Sequence, residues 1–166
     1  MYQRILVPVD GSATANAGLA EALKLARLTG ARLRLLHVVD DMPFILGADS
    51  MGTMTGELFG LLREGGERIL AAARATAEAE GVEVDSQLFD SLDGRLSDRV
   101  AQQVTEWRAD LIVLGTHGRR GVGRMLLGSD AEQVIRTATV PVLLVRSGGE
   151  VIAAPDAAGL PSVPAP

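Results

Sequence analysis

The sequence predicts an α/β fold built on a mainly parallel sheet. Short apolar runs alternate along the chain with longer stretches of helical period. The first, fourth and fifth runs are almost continuously apolar, as strands covered on both faces are. The resulting order, β-α-β-α-β-α-β-α-β, joins parallel strands through right-handed helical crossovers.

Arg4–Val9 (RILVPV) opens the chain as the first strand, and Thr14–Leu28 follows as a helix. That helix gathers Leu19, Ala22, Leu23, Leu25 and Ala26 on one side and stops at Gly30. Arg32–Val39 (RLRLLHVV) is the second strand. Asp40–Gly56 exceeds the ~12–15 residues usual for a structureless connection. Its Met42, Phe44, Ile45, Leu46, Met51 and Met54 suit either a surface loop with its own packing or a ligand lid or partner contact.

Glu57–Glu80 forms the second helix, with the Gly65-Gly66 pair as a local weakness, since an exposed helical glycine costs about 1 kcal/mol against alanine. Val82–Phe89 is the third strand. Leu92–Trp107 is the third helix, its Leu96, Val100, Val104 and Trp107 spaced four, four and three apart. Leu111–Leu114 (LIVL), the short helix Asp130–Ala138 and Val140–Val145 (VPVLLV) complete the domain, 1–147. Residues 148–166 carry four of the seven prolines amid alanine and glycine, the composition of a disordered tail.

A chain of 166 residues with 47% hydrophobic content holds one domain with a self-sufficient core. Aromatics at 3% leave too few rings for a single-strand nucleic-acid platform. A net charge of −5 argues against a general DNA-binding surface. The lack of cysteine excludes disulfides, thiolate metal sites and cysteine nucleophiles. No apolar run approaches the ~20 residues of a membrane span, and the start lacks the form of a signal peptide. The expectation is a cytoplasmic protein with neither nucleic acid nor membrane as partner.

Parallel sheets bind ligands beyond the carboxyl ends of their strands, where the strand order reverses. Val9-Asp10-Gly11-Ser12 follows the first strand, and Gly115-Thr116-His117-Gly118-Arg119-Arg120-Gly121-Val122-Gly123 follows the fourth. If those strands are neighbours, the two loops face one crevice. Four glycines in nine residues let backbone N–H groups converge on an anion. The helix N-terminus after Gly128 adds further donors, and Ser129 can cap that helix or bond a phosphate oxygen. Arg119, Arg120 and Arg124 supply charge as phosphate contacts or as a solvated rim. The combination describes a polyphosphate cradle.

Neither common phosphate motif is complete. Gly123-x4-Gly128-Ser129 lacks the P-loop lysine, which removes the reason to expect fast nucleotide hydrolysis. Gly121-x-Gly123 has Leu126 where a dinucleotide fingerprint needs its last glycine. Asp10 suits a ligand contact at the strand end, although it also suits a helix cap, a role for which Ser12 is available. Asp40 reads as a turn residue and His37 as a structural histidine. His117 falls within the glycine loop, with no partner that marks it as a general base.

Gly115-x2-Gly118-x9-Gly128-Ser129 resembles the G-2x-G-9x-G-[S/T] motif of ATP-binding universal stress proteins. The opening ILVPVDGS, LLHVVD at strand two, DLIVLGTHG at strand four and the closing VPVLLVR resemble that family in order and spacing, from Met1 to about Arg146. The resemblance implies an open five-stranded parallel sheet of order 3-2-1-4-5 with helices on both faces, like the adenine nucleotide alpha hydrolases, and ATP at the switch point. It places Asp10 at the ribose and the Val38 backbone at adenine. Gly115 and Gly118 line the triphosphate path, and Gly128 with Ser129 hold phosphate oxygens. Pro8, Val9, Thr116 and Arg119 join the binding residues.

The resemblance further implies a homodimer paired through the edge strand Val140–Val145. It points to a nucleotide-responsive stress regulator that takes ATP with Mg²⁺ and acts on an unidentified protein partner. The alternative is a slow ATPase or autophosphorylating protein using the same site, with Ser129 or Thr116 as phosphoacceptor. A flavin or electron-transfer domain on a related fold and a receiver domain phosphorylated at Asp10 are weaker readings, the latter because it leaves the glycine loop without a purpose.

Overall fold

The central strand is the one whose side chains alternate between two cores. In the computed structural model, which describes residues 1–39, 55–90, 94–117 and 129–147, β1 (Arg4–Pro8) pairs in parallel with β2 (Arg32–Val39) and β4 (Leu111–His117). Ile5 and Val7 point into a core roofed by α1 (Ala13–Thr29) and α2 (Thr55–Ala79). Leu6 points into a second core with α3 (Leu96–Glu106) and α4 (Ser129–Thr137). The period of two thus delivers one short sequence to both faces, and the near-continuous apolarity follows. With β3 (Val84–Asp90) and β5 (Val142–Ser147) at the edges, the sheet order is β3-β2-β1-β4-β5, all parallel.

Local signals place the first helix closely. The Ser12 hydroxyl accepts from the Ala15 amide at 3.1 Å, capping α1. At the other end Gly30 takes φ 71° and its N–H returns to the Ala26 carbonyl at 2.8 Å. The Asp110 carboxylate accepts from the Gln3 and Arg4 amides at 2.8 and 3.0 Å, tying the entry of β4 to that of β1. On the α3 side, Arg34 forms a bidentate pair with Asp85 at 2.6 Å and lies over the Trp107 ring, 4.7 Å from its centroid. This accounts for charge within the second strand.

Several boundaries correct the sequence reading. β4 continues through Gly115, Thr116 and His117, which were expected in a loop, because β5 pairs with them as far as His117↔Ser147. β5 itself starts at Val142, two residues later than expected. Pro141 has no N–H to give the ladder, and it serves through its carbonyl, which accepts from Ile112. α2 takes in Thr55 and Gly56 from the end of the expected long connection. α3 begins at Leu96, not Leu92, since Gly94 at φ 128° and Arg95 at φ −72°, ψ 162° are not helical.

Gly65-Gly66 does not interrupt α2. Gly66 is buried, and a Cβ there would meet His37 Cδ2 and Leu88 Cδ1 at 2.8 Å. Its glycine lets the helix lie close on β2 and β3.

Among the described residues no helix is long and apolar enough to cross a membrane. The expectations for Asp40 through Met54, for the glycine loop from Gly118 to Gly128 and for the tail at 148–166 lie outside the described residues.

Candidate functional site

The strand order reverses between β1 and β4, and a cleft of about 760 Å³ opens there at the carboxyl end of the sheet. Its floor comes from the strand ends: Pro8 and Val9 after β1, Leu36 to Val39 in β2, and Leu114 to Thr116 in β4. The first turns of α1, α3 and α4 wall it. Of the residues expected from the sequence, Pro8, Val9, Asp10, Val38, Gly115, Thr116 and Ser129 all line this one cleft. Gly118, Arg119 and Gly128 lie outside the described residues.

The β1–α1 turn fixes Asp10 at the rim. Gly11 takes φ 78°, and the Asp10 carboxylate accepts from the Ser12 amide at 2.8 Å, closing an Asx turn. Ser12 meanwhile caps α1, so Asp10 is not the cap, and its exposed carboxylate remains at the cleft. Beneath it, His37 Nδ1 lies 2.7 Å from the Val9 carbonyl. A carbonyl only accepts, so Nδ1 carries the proton. This histidine ties the end of β2 to the turn after β1, the structural role expected of it.

Thr116 is buried, with its hydroxyl 3.4 Å from the Val145 carbonyl. Gly115 sits so close under α1 that an added Cβ would collide with the Thr14 carbonyl. Packing therefore requires glycine here independently of any ligand.

Sequence reasoning missed the third strand's contribution. Gly94, Arg95, Leu96 and Asp98, at the junction of β3 and α3, form a wall of the cleft. The usable signal was topological. Every parallel strand releases its crossover at the same end of the sheet, so Gly94-Arg95-Leu96-Ser97 had to open beside the other two loops. Asp130, in the first turn of α4, was also missed.

The described charges in the walls are Asp10, Asp98 and Asp130 against Arg95. Such walls alone do not favour a polyphosphate, which would need a bound cation or arginines from elsewhere. Among the described residues no three histidine or carboxylate side chains are grouped to hold a metal. The oxygen donors fit Mg²⁺ delivered on phosphate oxygens, an ion usually held through one or two carboxylates and water, and not a dedicated metal cage.

Comparison with known proteins adds kinship. The model of the "Universal stress protein family" matches residues 1–146. A universal stress protein of Methanocaldococcus jannaschii is 35% identical over 147 residues, covering 88% of this chain and 83% of the relative. A solved structure of a protein from that family in Burkholderia pseudomallei superposes with a TM-score of 0.68 at 33% identity, covering 87% of this chain and 96% of the other. The universal stress protein from Archaeoglobus fulgidus, solved in complex with dAMP, gives a TM-score of 0.62 at 25% identity, with 87% and 98% covered.

Proposed function

Because the chain belongs to the universal stress protein family, we propose that it binds ATP with Mg²⁺ in the cleft at the strand switch point and acts as a nucleotide-responsive stress regulator. The observation that carries this reading is the convergence of Pro8, Val9, Asp10, Val38, Gly115, Thr116 and Ser129 on one cavity. The dAMP bound by the Archaeoglobus fulgidus relative supports an adenine nucleotide as the class of ligand.

In this arrangement the backbone of Val38 meets adenine and the Asp10 carboxylate meets the ribose hydroxyls. Phosphates run past Gly115 and Thr116 toward Ser129 at the N-terminus of α4, the end of a helix that favours anions. Gly118, Arg119 and Gly128 complete the phosphate side. Mg²⁺ arrives on the phosphates and offsets the carboxylates of the walls. Among the described cleft residues the one imidazole, His37, gives its Nδ1 proton to the Val9 carbonyl and so holds the turn that carries Asp10.

The regulatory step is a population shift. ATP stabilises one state of the protein over another and so changes the surface offered to a protein partner. The same reading pairs two copies through β5, which forms a sheet edge and exposes Leu144.

Calorimetric titration of ATP, AMP and cyclic AMP into nucleotide-stripped protein with Mg²⁺, beside the Gly118→Ala variant, tests the reading. ATP binding that the variant loses supports it. A monophosphate bound in preference to ATP would replace it with a metabolite sensor, and no binding of any nucleotide would end it.

A further inference from the structure

The junction between β3 and α3 supplies the cleft with an arginine that the expected binding residues do not include. Arg95 is the N-cap of α3, and it is exposed and lines the cavity. An arginine side chain has no acceptor, so it cannot perform the capping bond that serine or aspartate makes. Only the reciprocal bond forms: the Asp98 carboxylate accepts from the Arg95 amide at 3.1 Å. The backbone is fixed and the guanidinium is not used in holding it. Arg99, one turn on, is committed differently, stacked 5.5 Å from the Phe89 ring centroid and bonded to Gln102 at 2.7 Å.

Position decides which part of a ligand Arg95 meets. The next residue, Leu96, packs with Val38 and Phe89 against the core around Leu36 and Val100. Leu96, next to Arg95, thus stands toward β2 and β3, while the Ser97 hydroxyl of the same turn lies 3.4 Å from Gln133 of α4. Gly115 and Ser129, the proposed phosphate side, lie beyond β1. Two strand spacings separate β2 from β4, or roughly 10 Å.

The β2 side of the cavity is aliphatic, with Pro8, Leu36, Val38 and Leu96. Among the described lining residues there is no Phe, Tyr or Trp to cover a base. A guanidinium can do so, being planar, delocalised and weakly hydrated. This chain already uses that contact at Arg34 on Trp107.

Resting on the nucleotide reading above, we propose that Arg95 stacks its guanidinium on the purine and acts as a base-holding residue of the cleft. The aliphatic residues hold one face of the base and Arg95 covers the other.

Titration of adenosine, AMP and ATP into the wild type, Arg95→Ala and Arg95→Lys tests this. Stacking predicts that Arg95→Ala weakens all three ligands by one common factor, roughly three- to thirtyfold. It also predicts that Arg95→Lys does not restore them, because an ammonium lacks the plane. A loss that grows from adenosine to ATP and is rescued by lysine would make Arg95 a phosphate contact and overturn the inference. Unchanged affinities in both variants would overturn it while leaving the nucleotide reading intact. A wild type that binds none of the three overturns both. Both variants keep the Asp98 bond to the backbone, so an unchanged melting temperature separates a lost contact from a lost fold.

Discussion

Gly18 and Gly115 face each other where α1 crosses β4: a Cβ on Gly18 would stand 2.8 Å from the Gly115 amide nitrogen. The reverse contact is tighter still, since a Cβ on Gly115 would meet the Thr14 carbonyl. Both obstacles are backbone, which cannot rotate away. This close approach seats the first turn of α1, with Thr14 and Ala15, against the floor of the cleft. Gly18→Ala should lower stability by about 1–3 kcal/mol through overpacking, and Gly115→Ala should cost more. Urea unfolding of each variant checks the order. Loss of nucleotide binding in Gly115→Ala would therefore say little about phosphate contact.

The two adjacent glycines of α2 should respond in opposite directions. Gly65 has open space where its Cβ would go. Gly65→Ala should stabilise by about 0.5–1 kcal/mol, as alanine does in a helix interior. Gly66→Ala should destabilise by about 1–3 kcal/mol. Leu88 can turn aside, but the His37 ring is held by its bond to Val9. Equal shifts of the two melting curves would contradict this assignment.

How much of this was legible in the sequence follows from what kind of interaction sets each feature. The strands at Ile5 to Val7 and Ile112 to Leu114 were readable because burial on both faces leaves a continuous apolar run. Ser12 and Gly30 announced α1 through local hydrogen bonding. The extension of β4 through Thr116 and His117 was not readable. Gly-Thr-His has no strand pattern of its own and is held there by its partner strand. Gly66 looked like a weakness for the same reason, since its value lies in three side chains distant in sequence. Within the cleft, the resemblance reached Asp10, Val38 and Gly115. It did not reach Arg95 and Asp98, whose place is set by how α3 packs against the sheet and α4.

The edge strand gives a prediction about assembly. Leu144 is 39% exposed on β5, the edge strand of the sheet among the described residues. A charge at that position would be buried between two copies paired through the strand. Leu144→Lys should convert a dimer into a monomer in sedimentation velocity while leaving the circular dichroism spectrum unchanged. A variant that remains dimeric would remove β5 from the interface.

Asp10 separates holding the fold from holding the ligand. In the turn, one carboxylate oxygen accepts from the Ser12 amide at 2.8 Å, a bond that an asparagine oxygen can also accept. Asp10→Asn should therefore change the melting temperature little, whereas Ser12→Ala should cost about 1 kcal/mol as the cap of α1 is lost. The proposed ribose contact makes the opposite demand. A charged carboxylate accepts from both hydroxyls more strongly than an amide, whose nitrogen end only donates. ATP affinity should fall about tenfold in Asp10→Asn, in line with the loss of one charge-assisted hydrogen bond. Ser12→Ala should bind ATP much as the wild type does at a temperature where it remains folded. Thermal melts and titrations on the same two variants distinguish the roles. A stable Asp10→Asn protein with undiminished ATP affinity would assign Asp10 to the turn alone.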